Sequence, residues 1–103
     1  MATNKQKELH NLLVSLLGNP NVYYQPPSDT KMNYPAIRYR RIDIFSDKAD
    51  NKTYLLRNKY EITVISKTPD HPVIEKILQL AGSDYVRPYT SDGLNHDVIT
   101  LQY

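Results

Sequence analysis

Two different periods run through the apolar positions of the chain. Leu9, Leu12, Leu13, Leu16 and Leu17 recur at three- and four-residue spacing, the repeat of a helix with one buried face. Lys5, Lys7 and His10 fall mostly on its other side. Thr3 or Asn4 can cap its start, Gly18 can take the left-handed turn that ends it, and Pro20 stops it resuming. Val22–Tyr24 is then a short apolar run closed by Pro26 and Pro27, which reads as an irregular or edge-strand segment.

The period changes to two after Pro35. From Thr53 to Ser66, Tyr54, Leu56, Tyr60, Ile62 and Val64 alternate with mainly polar neighbours, predicting a long strand with one apolar face. Leu55 and Ile65 interrupt its polar side. In Ala36–Phe45, Ile37 and Tyr39 are odd while Ile42 and Ile44 are even, so the phase slips at Arg40–Arg41. One extra residue there, a β-bulge, returns all four to one face. With Ser46–Lys52 as the loop, Ile44 is expected opposite Tyr54, Ile42 opposite Leu56, Tyr39 opposite Asn58 and Ile37 opposite Tyr60.

A second helix is expected after Asp70 as N-cap, with Pro72 in its first turn, an apolar face from Val73, Ile74, Ile77, Leu78 and Leu80, and Gly82 as its stop. Tyr85–Tyr89 and His96–Tyr103 flank Asp92–Gly93, a hairpin turn signal. The fold class expected is α+β: a single domain over residues 1–103, in the order helix-hairpin-helix-hairpin. Two helices pack on one face of a largely antiparallel four-stranded sheet, and residues 36–66 form a long hairpin arm.

Composition changes this picture little. With 103 residues and 40% hydrophobic content, there is room for one core and no second. The net charge of +2 is too small to imply nucleic-acid binding, but it is unevenly placed. Lys31–Lys59 carries eight basic and three acidic residues, a net +5, and Tyr60–Tyr103 carries three basic and six acidic, a net −3. A basic middle and an acidic end can make complementary contacts between copies. The absence of cysteine removes disulfides, thiolate nucleophiles and Cys-ligated zinc. No apolar run reaches signal-peptide or membrane-span length, so assembly in a cytoplasm, without a membrane, is expected.

No catalytic, cofactor-binding or metal-ligating constellation emerges, and the chain reads as a non-enzyme without cofactors. His10, His71 and His96 lack partners at metal-ligand spacing, and His96 reads as a surface or cross-strand residue against Tyr89. Gly18, Gly82 and Gly93 are too far apart for a phosphate loop, and no serine has a nucleophile-elbow context. The run Arg38-Tyr39-Arg40-Arg41 admits three uses: the solvent face of a strand, a subunit contact, or a phosphate groove. Nine tyrosines beside one phenylalanine favour aromatic surface of the kind enriched at interfaces.

Three tracts carry a family likeness. Tyr34-Pro35-Ala36-Ile37-Arg38-Tyr39 follows a leucine-rich helix, Tyr60–Ser66 runs into a second helix, and Asp92-Gly93 through Tyr103 closes the chain. Together they resemble the tail-completion (tail terminator, head-to-tail joining) proteins of long-tailed bacteriophages and prophages. The resemblance implies a structural virion protein that forms a homo-oligomeric ring, commonly a hexamer, between the tail tube protein and the head connector protein. The resemblance implies a place at the head-tail interface, with DNA at most passing through the lumen. Hairpin arms mediate subunit contacts in that family, by position Ile42–Leu56 here. The interface residues expected are Arg38, Arg40, Arg41, Ile42, Ile44, Tyr54, Leu55 and Leu56. Two competing readings are an adaptor on the head side of the connector and a nucleic-acid module using Arg38, Arg40, Arg41, Lys48, Lys52, Arg57 and Lys59.

Overall fold

The computed structural model describes residues 5–49 and 52–103, with side chains described outside 46–56. The elements are α1 (Lys5–Leu17), β1 (Val22–Tyr24), β2 (Ala36–Ala49), β3 (Lys52–Ser66), α2 (Pro72–Leu78), β4 (Ser83–Ser91) and β5 (Leu94–Gln102). Both helices bury their apolar stripes against one face of the sheet. Leu9, Leu13 and Leu17 of α1 and Val73, Ile74 and Ile77 of α2 join Ile37, Tyr39, Tyr60, Ile62, Val64, Ile99 and Leu101 in one core. Gly18 ends α1 at φ 83° with its N–H on the Val14 carbonyl. The N-terminal cap expected at Thr3 or Asn4 lies outside the described residues.

The sheet corrects the expected architecture. It has five strands in the order β1-β2-β3-β5-β4, and it is mixed rather than four-stranded and antiparallel. Helix-hairpin-helix-hairpin is therefore not the element order. The extra strand is Val22–Tyr24, which runs parallel to β2 with Val22 opposite Ile37 and Tyr24 opposite Tyr39. The prolines do not prevent this because they fall just after it. The Ile37 N–H still donates to the Asn21 carbonyl and the Gln25 N–H to the Tyr39 carbonyl, so both ends of the short ladder are satisfied. Val22, 5% exposed, repays the pairing by entering the core.

Two boundaries of α2 also differ from expectation. His71, not Asp70, is the N-cap, its Nδ1 accepting from the Val73 N–H at 3.1 Å. The helix stops at Leu78, and Gly82 (φ 85°) instead opens β4, where an added Cβ would meet the Gln102 carbonyl oxygen at 3.1 Å.

The second sheet face is not the solvated surface that alternation implies. Ala36, Thr63, Ile65, His96 and Val98 are all buried there. The segment between β1 and β2 covers it: Ser28, Thr30, Met32 and Tyr34 wall a cavity of about 260 Å³ against Arg38 and Ile65.

Tyr39 ties these layers together. Its ring lies 4.8 Å from Tyr24 and 5.9 Å from Tyr60, and its hydroxyl contacts Gln6 Nε2 at 2.7 Å and His10 Nδ1 at 2.8 Å. One arrangement satisfies all three groups: Gln6 donates to the hydroxyl, which donates to an unprotonated Nδ1. Burial pushes the Tyr39 hydroxyl up to about 12 from 10.0. Because the folded value is the higher one, this stabilising contribution is complete below pH 10 and is lost as the pH rises towards 12. Tyr39→Phe should cost about 1–3 kcal/mol at pH 7, the sum of two ordinary hydrogen bonds. It should also make the fall in urea stability between pH 10 and 12 shallower than in the parent; an unchanged fall would assign it to other tyrosines.

Candidate functional site

β2 and β3 are the longest strands, and their neighbours do not accompany them to the end. Antiparallel pairing runs from Ala36 opposite Ile65 out to Ala49 opposite Lys52. β1 leaves after Tyr24 opposite Tyr39, and β5 leaves after Lys59 opposite Gln102, with one further exchange of backbone bonds between Asn58 and Tyr103. From there β2 and β3 continue alone as a two-stranded ribbon. Phe45–Ala49, the part with no third strand beside it, spans roughly 16 Å at the usual strand rise. The molecule measures 51 × 23 × 23 Å, with a radius of gyration of 14.7 Å against about 13 Å for a compact chain of this length.

The loop expected at Ser46–Lys52 is thus mostly strand, and the register differs accordingly. Ile44 lies opposite Asn58, Tyr39 opposite Ile62 and Ile37 opposite Val64, each four residues further along than expected. Four is an even number, so Ile37, Tyr39 and Ile44 keep their expected face. The bulge is present, but at Ile42, left unpaired between Arg41 opposite Tyr60 and Asp43 opposite Lys59. Beyond it Ile44 lies on the helix side of the ribbon and Phe45, opposite Arg57, on the other.

The predicted interface residues separate into groups. Arg38 turns to the second face, where its Nη2 contacts the Tyr89 hydroxyl at 3.4 Å. Arg40, on that same face, pairs with Glu61 at 3.0 Å, in the open, where such a pair contributes little. Arg41 lies across from Tyr60 on the helix side, and its N–H donates to Gln25 Oε1. Burial and then Tyr24 raise the Tyr60 hydroxyl, while Arg41 pulls it down. Ile42 and Ile44 are 40% and 48% exposed on the ribbon. Leu55 and Leu56 pair through their backbones with Asp47 and Ser46; the side chains of Tyr54, Leu55 and Leu56 lie outside those described.

Three exposed apolar residues were not anticipated: Phe45 at 38%, Tyr85 at 43% and Val86 at 49%. Phe45 follows Ile44 directly, a signal that the alternation rule discards. Tyr85 and Val86 sit on β4, and a hairpin's pattern alone does not say which of its strands ends the sheet. Partial loss of solvent, and then the hydrogen bond it donates to Asp97 at 2.7 Å, raise the Tyr85 hydroxyl above its usual value.

The histidines hold structural positions. His96 stacks on Tyr89 at 4.5 Å and 17°, the cross-strand contact expected, and Arg87 covers the Tyr89 ring at 4.9 Å. Among the described residues no three His, Cys, Asp or Glu side chains gather as a metal site.

The bulge sets the direction of the ribbon without carrying the pairing. Deleting Ile42 joins two stretches of ladder that are already in phase on the same faces. The deletion should therefore change urea stability by no more than about 0.5 kcal/mol, the range for neutral surface changes. A loss several times larger would show that Ile42 supports the core.

No protein-family model matches the sequence, and no curated protein matches it.

Proposed function

We propose that this chain is a structural subunit that closes into a ring with copies of itself, at the head-proximal end of a bacteriophage tail. In that position it ends the tail tube, meets the head connector and lets DNA pass through the lumen. The assembly part of this reading is supported chiefly by the ribbon. The long hairpin leaves Ile42, Ile44 and Phe45 exposed at 40%, 48% and 38%, around the point where β5 parts from β3. Completing the burial of such side chains is worth roughly 1 kcal/mol each, so a neighbouring surface gains by covering them. A head-to-tail contact between copies does so and closes into a ring. The position on a phage tail is supported by the family resemblance of the three sequence tracts, and a hexamer is the ring that the resemblance favours. No helix among the described residues is long and apolar enough to cross a membrane.

The nucleic-acid reading needs cations converging on one backbone. Arg38 and Arg40 instead share the second face, each with a side-chain partner, while Arg41 lies on the other side beside Tyr60. This divergence favours assembly.

Sedimentation analysis should find the parent chain in a closed ring and the double variant Ile44→Asp, Phe45→Asp as a monomer. Both should give the same circular dichroism, because the two positions lie outside the core. A double variant that assembles like the parent would remove the ribbon as the contact. At 0.15 M salt, where the Debye length is about 8 Å, the parent should not retain duplex DNA. Nanomolar binding that is lost in Arg40→Ala, Arg41→Ala would restore the nucleic-acid reading.

A further inference from the structure

The five large hydrophobic residues exposed among those described fall on two strands, β2 and β4, with β3 and β5 between them. Ile42, Ile44 and Phe45 lie on the ribbon beside Arg40, Arg41, Arg57 and Lys59; Glu61, paired with Arg40, and Asp43, its Oδ1 accepting from the Ile44 N–H, are among them. Tyr85 and Val86 lie on β4, the far edge strand, with anions around them. Asp97 accepts from the Tyr85 hydroxyl, Asp70 acts on the same hydroxyl, and Asp84 precedes it, exposed. Arg87, the one cation of β4, is drawn over the Tyr89 ring. The first patch wraps the ribbon, with Ile44 on the helix side and Phe45 on the other, inside a mainly basic border; the second is apolar with an acidic border.

We infer that the β4 edge, centred on Tyr85 and Val86, is the surface that receives the ribbon of the next copy. This rests on the assembly reading above and names the half of the contact which that reading leaves open. The two patches are different surfaces of one chain, so the contact is heterologous and propagates from copy to copy, as a ring requires. Opposite charge at the borders sets the orientation and opposes ribbon-to-ribbon pairing, where basic residues would meet. Contact is through side chains, not by adding a strand: β4 breaks register at Val86, and Pro88 has no N–H to offer.

The test uses one broken ribbon and one broken edge. Ile44→Asp and Val86→Asp should each be a folded monomer alone, since both positions are about half exposed. Mixed in equal amounts, they should form a one-to-one heterodimer, the intact ribbon of one chain seated on the intact edge of the other, and grow no further. If Val86→Asp proves unfolded, Asp84→Lys replaces it and should raise the concentration for half-assembly by about tenfold or more. Val86→Asp, or Asp84→Lys in its place, assembling like the parent while Ile44→Asp stays monomeric would reject the β4 edge and keep ring assembly. A parent that never assembles would reject ring assembly itself.

Discussion

A β-ribbon longer than the sheet it grows from has to satisfy its apolar side chains elsewhere. In this chain the mismatch is built in: β2 has fourteen residues and β3 fifteen, beside a three-residue β1 and a nine-residue β5. The core uses the inner halves of the long strands, through Ile37, Tyr39, Tyr60, Ile62 and Val64. The outer halves pair with each other through their backbones, with register breaks at Ile42 and between Asp47 and Lys48, but have no third layer. Hydrogen bonding therefore holds the ribbon in shape while its side chains remain without cover, and the proposed assembly follows from that division.

The ribbon can serve as a rigid lever only if its base is held. Tyr39 provides much of that hold, because it sits three residues before the bulge at Ile42 and contacts α1, β1 and β3 together. On the opposite face the segment between β1 and β2 lies over Ile65, which covers the sheet at the end away from the ribbon. The bulge at Ile42 falls just before β5 parts from β3. A bulge adds twist and bend to a strand pair, and placed here it aims the ribbon without disturbing the packed half.

Local chemistry was legible in the sequence, and non-local choices were less so. Helix α1, the stop at Gly18 and the turn at Asp92–Gly93 (φ 53° and 74°) each depend on a few adjacent residues. The need for a bulge was also readable, from the odd-to-even slip between Tyr39 and Ile42. Its site was not, because any residue in that interval restores the phase. The register was missed by four residues because Ser46–Ala49 looks like a polar loop, although a ribbon without neighbours tolerates polar side chains on both faces. Val22–Tyr24 is too short to show a period, so only the packing of Val22 and the ladder beside Ile37 reveal it as a strand. For the candidate interface, Ile42 and Ile44 were readable as apolar residues near a hairpin tip. Tyr85 and Val86 became visible only when the strand order placed β4 at an edge.

The central claim is that another copy of the same chain covers the ribbon. Amide hydrogen exchange measured across a range of protein concentrations tests it at the residues concerned. The account predicts that exchange at Ile42–Phe45 slows as the chain becomes concentrated enough to assemble, while the core amides of Tyr60–Val64 stay protected throughout. Rapid exchange at Ile42–Phe45 that is the same at every concentration would contradict it.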